Sequence, residues 1–468
     1  MGVPKLTRQA TANYHPSYRT GDGRTSDVKG GDAAYAFVGS ATASPPKAPK
    51  ETLDVKWAIG GCTHPGGSTH KPNQDDYFIY RYPERPGTIV LGVLDGHGRE
   101  LGELASKTAK RAFLGEFGKA NAVESIERQP KVAFVDIFAR VHEEIGRAFQ
   151  KYYVDRGVEC AKRGGFFRKR LRGDAQWNCV HGGTTATVVL IVDGYRMYVA
   201  NVGDSSAVLE GFSTIKPFDY FLESSRKRKM GGDGDPENAT IGRGTADDDA
   251  RSHRELTANH SPENVDEYRR VRAARPHPRI PGKPELRFVY DSLSWSKSAC
   301  RDVFNIIDSQ TDDVAVSNIG EYYKNVRQEW ASLVCTPPGA EFQDALAFTR
   351  SLGDFHLQSY GVSHVPEVAC VDLRDVRRRR SDDAARTVVL LVASDGVWDN
   401  WVLKDSIDEV KRVRRDAGFV CDGGSVPVDA EAEAVSKAFM EKNLAVGLRN
   451  FGKQADNMTA IACLATFV

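Results

Sequence analysis

The sequence predicts an α+β sandwich, and three observations carry that expectation. Short apolar runs rich in β-branched residues, each closed by turn residues, recur from residue 55 to the end of the chain. Helical patterns fall between groups of these runs and do not alternate with them one by one, as they would beside a parallel sheet. Asp193-Gly194 joins two such runs and suits the positive backbone angles of a tight hairpin turn, so neighbouring strands are antiparallel.

Residues 1–50 are rich in Gly, Ser, Thr, Ala and Pro without an apolar period, and read as a flexible arm ahead of one domain over 51–468. Strands are expected at 55–60, 77–82 and 88–94. Helices follow at 100–117 and 132–152, where Val135, Ile137, Phe138 and Val141 recur at helical spacing. Residues 184–192 and 196–202 form the hairpin. The β pattern returns at 387–393 and 458–468, around an Ala- and Glu-rich helix at 429–448. Insertions near 155–180, 211–252 and 275–345 interrupt this order and read as solvated surface loops, including Phe166-Phe167 among basic residues at 163–172. For the basic tetrad 226–229, a nuclear-import or docking signal is the alternative.

The chain has 468 residues, 40% hydrophobic and 27% charged, so it is globular. Its 64 basic and 63 acidic residues leave a net charge of +1, which gives no global field for nucleic acid or an anionic membrane. Eight scattered cysteines without a Cys-x-x-Cys pair exclude a zinc ribbon and read as reduced thiols. No apolar run is long enough to span a bilayer, and Leu6 stands where a myristoylated Gly2 wants Ser or Thr. The expectation is a cytoplasmic monomer without lipid anchor or stable membrane association, with the nucleus as the alternative location.

The chemistry lies in acidic residues placed just past apolar strands. Asp95 follows 88–94 in Leu-Gly-Val-Leu-Asp-Gly-His-Gly, and Asp395 follows 387–394 in Leu-Val-Ala-Ser-Asp-Gly-Val-Trp-Asp. One Asp-Gly after a strand is usually a turn. Here the arrangement repeats: Asp75 and Asp76, Asp204 and Asp456 border strand-like runs as well. Carboxylates gathered at one edge repel one another, and a divalent cation is the usual compensation. Without accompanying His or Cys clusters the ligands are oxygens, which selects Mg²⁺ or Mn²⁺. Two such ions polarise a phosphoryl group and activate a bridging hydroxide for in-line attack. His97, between Gly96 and Gly98, is placed to protonate the leaving oxygen.

On these motifs the chain resembles the metal-dependent protein phosphatase family (PPM, type 2C). The resemblance is carried by Asn73-Gln74-Asp75, Asp95-Gly96-His97-Gly98, Gly183-Thr184-Thr185-Ala186, Gly203-Asp204-Ser205, Leu256-Thr257, Thr349-Arg350-Ser351-Leu352-Gly353-Asp354, Ser394 to Asp399, and Asp456-Asn457, all in family order. It implies a four-layer αββα sandwich, with two antiparallel sheets between helix pairs, and a metal cleft at one end. It further implies a serine/threonine protein phosphatase in signalling, acting on phosphorylated proteins. Asp95, Asp395 and Asp456 would ligate metal directly, Gly96 through its carbonyl, and Asp75 directly or through water. Asp204 and Asp399 match positions linked to a third, weaker metal site in some members. His97 matches the general acid, and Asn457 and Asp354 orient ligands and backbone.

Three departures stand out. Where many members carry a phosphate-gripping Arg, this chain has His70-Lys71, a point charge without the bidentate guanidinium fork. Gln74 stands where many relatives have Glu, and Asn259 replaces a common Asp. The altered grip leaves a low-activity, phosphatase-fold binding module as the alternative function.

Overall fold

Alternation along two central strands defines the layers of the molecule. In Ile89–Leu94, Ile89, Leu91 and Val93 pack against Leu390, Val392 and Ile461, while Val90 and Leu94 face the opposite way, onto Phe113 and Phe138. In Thr387–Ala393, Val388, Leu390 and Val392 point into the same central cluster, and Val389, Leu391 and Ala393 meet Phe439 and Met440. A strand buried on both faces has apolar side chains at every position, and each face needs its own cover. The result is helices, sheet, sheet, helices.

This is a computed structural model of the chain, and it describes residues 55–68, 72–211, 253–273, 285–293, 300–308, 313–374, 387–419 and 426–467. The expected arm at 1–50, the basic tetrad at 226–229, the basic run at 377–380, and His70 and Lys71 lie outside the described residues.

One five-stranded sheet has the order Val55–His64, Met458–Phe467, Thr387–Ala393, Ser206–Glu210, His253–Glu255. The other runs Glu367–Asp372, Arg196–Val202, Ala186–Val192, Ile89–Leu94, Asp76–Arg81. Every pairing in both is antiparallel. Asp193 and Gly194 take φ of 53° and 78°, the left-handed pair that the hairpin between Ala186–Val192 and Arg196–Val202 requires.

Helices Gly102–Phe117, Ala122–Arg128 and Pro130–Val154 cover the second sheet, and Leu403–Asp416 and Asp429–Phe451 cover the first. In Pro130–Val154, Phe134, Ile137, Phe138, Val141, Ile145 and Phe149 make one apolar stripe, and Pro130 sits at the helix start, where its missing N–H costs nothing. The short helix Ala122–Arg128 was not expected from the sequence.

Two of the supposed loops are folded structure. Residues expected as solvated loop at 163–172 form a hairpin, Val158–Arg163 with Phe166–Leu171, extended by Asn178–Cys179. Phe166 and Phe167 are buried there, and Phe167 meets the Phe355 ring edge-on at 4.9 Å. The basic residues that pointed to solvent cover aromatic rings, Arg168 over Phe166 and Arg170 over Trp177. In the insertion near 275–345, strands Arg287–Tyr290, Ser332–Cys335 and Ala345–Leu346 form a small sheet. With helix Val265–Ala273 they enclose an apolar cluster of their own that includes Tyr268, Phe288, Tyr290 and Phe348.

Candidate metal centre

Strand register brings the acidic residues to one edge. In the first sheet Ala393 is opposite both Ser206 and Ala460, so Asp395, Asp204 and Asp456, each a few residues beyond, leave the sheet at the same end. In the second sheet Asp76 is opposite Leu94, and Val202 is opposite Ala186, which delivers Asp75, Asp95 and Asp204 to that end too. Adjacent positions on a strand face opposite ways. Asp75 accordingly turns inward and is buried, whereas Asp76 turns out to an ion pair with Lys110 at 2.7 Å.

Asp95, Asp204 and Asp395 each present a carboxylate oxygen, all within 4.8 Å of one another. The backbone of Asp95 is fixed by Thr185, whose N–H donates to its carbonyl at 2.9 Å and whose Oγ1 accepts from its N–H at 3.2 Å. Asp75 Oδ2 accepts from Ser394 Oγ at 2.8 Å, and Ser394 Oγ in turn accepts from Thr459 N–H at 2.9 Å. Asp75 Oδ1 is buried without a hydrogen-bond partner among the described residues. Burial, with the charges of Asp456 and Asp395 nearby and partly opposed by the Ser394 hydrogen bond, pushes the Asp75 carboxyl up to about 7. Burial and the carboxylates of Asp75, Asp395, Asp456 and Asp204 raise Asp95 well above its usual range.

An all-oxygen donor set, mutual repulsion and a buried oxygen lacking a donor fit a hard divalent cation. Asp456 is exposed at the rim of the site, outside the compact carboxylate trio, and Asp204 takes the third place in that trio. Gly96 could carry no side chain: a Cβ there would lie 2.4 Å from the Gln74 carbonyl oxygen and 2.5 Å from that of Gly102. Asn457 accepts from Gln74 N–H at 2.8 Å through Oδ1 and donates to the Pro65 carbonyl at 2.9 Å, tying the approach to Asp75 to the turn before Met458.

His97 is held by Asp354, with His97 Nε2 to Asp354 Oδ2 at 2.7 Å. The same oxygen accepts from Ser351 Oγ at 2.6 Å. Asp354 sits at φ 43°, a left-handed conformation that Asp tolerates better than bulkier residues, and its N–H donates to the Gly182 carbonyl at 2.9 Å. Burial would lower the imidazole's pKa, but the Asp354 charge and hydrogen bond more than offset it, and the net shift is upward.

Two cations of the long insertion border this site and were missed from sequence: Lys324 and Arg327. Both lie in a stretch without apolar period, so only the folded chain reveals their position. Val326 N–H donates to the Asp399 carbonyl at 3.1 Å, which sets this stretch against the helix Asp395–Trp398. A second carboxylate group, Glu267 and Glu367 beside His260, already has its counter-charge. Arg350 pairs with both glutamates and Arg270 with Glu267, so no metal is needed there.

Comparisons with known proteins find similarity to protein phosphatases. The family model "Protein phosphatase 2C" matches residues 149–218 and 332–450. The chain is 26% identical over 350 residues to "Probable protein phosphatase 2C 35" of Arabidopsis thaliana, covering 74% of this chain and 70% of that one. To "Putative protein phosphatase 2C 50" of the same plant it is 26% identical over 375 residues, covering 75% and 70%. Among solved structures, a serine-threonine phosphatase 2C from Toxoplasma gondii aligns over 88% of this chain and 94% of its own, at 15% identity and a TM-score of 0.48.

Proposed function

We propose that this chain, a member of the protein phosphatase 2C family of serine/threonine protein phosphatases, hydrolyses phosphoserine and phosphothreonine monoesters on proteins with Mg²⁺ or Mn²⁺ held by its aspartate cluster. The observation that carries the reading is the meeting of Asp95, Asp204 and Asp395 within 4.8 Å, beside buried Asp75. In this reading Asp95, Asp395, Asp75, Asp456 and the Gly96 carbonyl would hold two ions, with Asp204 and Asp399 facing a further position. When bound, such ions supply an activated water and neutralise the phosphoryl oxygens.

The chain's own residues do the rest. The Asp354 carboxylate favours the protonated form of His97 and holds its Nε2. Nδ1, buried and without a hydrogen-bond partner among the described residues, is the ring atom left to carry a proton, and giving it to the leaving serine or threonine oxygen requires the site to open around it. His70 and Lys71 remain the proposed contacts for the substrate phosphate. The same reading has the protein act as a monomer in the cytoplasm, in signalling; no helix among the described residues is long and apolar enough to cross a membrane.

The test is phosphate release from a phosphothreonine peptide with Mn²⁺. Wild type should turn over, and Asp95→Asn should fall by more than the roughly 10–100-fold typical of residues that only support a metal ligand. Equal and negligible rates in both folded proteins would identify a binding module instead.

A further inference from the structure

His142 lies on the buried face of helix Pro130–Val154, among Phe138, Val141 and Ile145. A histidine so placed usually does no more than complete a core. This one reaches the segment that holds His97. Its Nδ1 accepts from Gly353 N–H at 3.1 Å, and its ring packs on Phe355 at 4.4 Å and stacks on His364 at 4.3 Å, with 12° between the two imidazole planes.

The bond to Gly353 satisfies an amide that the small sheet leaves over. Asp354 N–H donates to the Gly182 carbonyl, which makes Gly353 and Gly183 an antiparallel pair whose own amides face away from each other. Gly353 is buried, so its N–H must find an acceptor elsewhere, and His142 supplies it. Gly353 at φ 90° and Asp354 at φ 43° are two left-handed residues in a row, and for Asp354 that conformation persists only where its surroundings hold it. The second imidazole holds the other side of the turn. Gln358 Nε2 donates to the carbonyls of Ser351 at 2.9 Å and Gly353 at 3.1 Å, so Oε1 is left as its acceptor and His364 Nδ1, 2.8 Å away, donates to it. The neutral rings thus have opposite tautomers, with the proton of His142 on Nε2 and that of His364 on Nδ1. Burial favours the neutral form of both, helped at His142 by His364 and Lys162 and opposed at His364 by Glu143.

We propose that His142 and His364 form a paired-imidazole brace that fixes the turn at Gly353 and Asp354, which makes both of them positioning residues for proton donation by His97. The proposal rests on the reading of His97 as proton donor. The route is short: His142 holds the Gly353 amide, and the next residue presents Oδ2 to His97 Nε2 at 2.7 Å. Without the brace the left-handed turn relaxes, Asp354 moves, and the imidazole loses its orientation. Misplacing a reacting group by about 1 Å can cost on the order of 10²-fold in rate.

Two substrates separate this role from a general loss of structure. The alkoxide of a phosphothreonine peptide needs a proton in order to leave, whereas the nitrophenolate of p-nitrophenyl phosphate leaves without one. With Mn²⁺ present, His142→Leu should lower kcat on the peptide by about 10²-fold, with KM and turnover of the aryl ester little changed. His142→Asn, whose Oδ1 can accept from Gly353 N–H, should recover most of the peptide kcat. His364→Phe keeps a stacked ring but removes the N–H that Gln358 accepts. It should show the same selective loss, and it carries the test where His142→Leu does not fold. Asp354→Asn is the reference, and its loss should also be confined to the peptide. Equal loss on both substrates, or no loss, in whichever of His142→Leu and His364→Phe folds, while Asp354→Asn is selective, overturns the brace alone. Asp354→Asn without selective loss overturns the proton-donor reading and the brace with it, and a wild type without turnover overturns the phosphatase reading as well.

Discussion

The protonated form of His97 is favoured by Asp354, 2.7 Å from Nε2, and not by its own burial, which acts in the opposite direction. A residue that acts through another should be visible in the pH profile. Asp354→Asn keeps the shape and a hydrogen bond but removes the charge that raises the imidazole's pKa, so protonated His97 is lost at lower pH. The basic limb of the kcat/KM profile should move to lower pH, with a rate loss at pH 8 within the roughly 10²–10⁴-fold that a positioned acid contributes. A limb that stays in place would remove His97 from the proton-transfer role. Asp95, Gly96 and His97 were readable because they directly follow an apolar run and are flanked by glycine. The pairing with Asp354 was not, since 257 residues separate the partners and only the meeting of Gly96–His97, Gly183–Thr184 and Leu352–Gly353 in one small sheet brings them together. Lys324 was invisible for a related reason: it lies on a hairpin that only the folded chain sets against Asp399, through Val326.

Among the elements, the hairpin Val158–Arg163 and Phe166–Leu171 has a structural job that its basic composition hides. Phe167 packs on Phe355, the residue after Asp354, and its ring comes so close to helix Pro130–Val154 that a Cβ on Gly146 would lie 3.0 Å from it. Its loss removes the wedge between that helix and the segment that holds His97. Phe167→Ala should cost about 3–5 kcal/mol by the usual cost of emptying an aromatic core site. Arg172→Ala, at an exposed position of the same insertion, should stay within about 0.5 kcal/mol. Denaturant unfolding of both variants checks the contrast, and a Phe167→Ala protein as stable as wild type would return the hairpin to the status of surface decoration. The sequence signal for the hairpin existed in Phe166-Phe167, but charged neighbours outweighed it. Long basic stems that lie over rings count as cover, and a charge count registers them as solvent.

At the scale of the molecule, the two sheets were legible because strands buried on both faces leave continuous apolar runs. Their pairing was legible only at the Asp193-Gly194 turn: Val55–His64 pairs with Met458–Phe467 from the other end of the described chain, which no local pattern announces. That closure is also what gathers the acidic edge, so the fold and the metal centre are coupled in energy. In the metal-free protein the folded state holds protons on Asp75, pushed up to about 7, and on Asp95, also raised, whereas an unfolded aspartate releases its proton near pH 3.9. Between about pH 4 and 7 the folded state therefore binds more protons than the unfolded one, and stability falls as pH rises through that window. The carboxylate of Glu329, lowered to about 2 by Lys324 and Arg327 against the opposing effect of burial, acts with the opposite sign. Its contribution is complete above about pH 4.5 and is lost only as pH falls further, so it does not offset the loss from Asp75 at neutral pH. A divalent ion replaces the protons and removes this penalty, adding about 2.7 kcal/mol at a hundredfold excess over its Kd. Thermal melts of stripped protein with and without Mn²⁺ should then show a larger increase in Tm at pH 8 than at pH 5, where protons already neutralise Asp75. An equal increase at both pH values would mean that the ion binds elsewhere than among these aspartates.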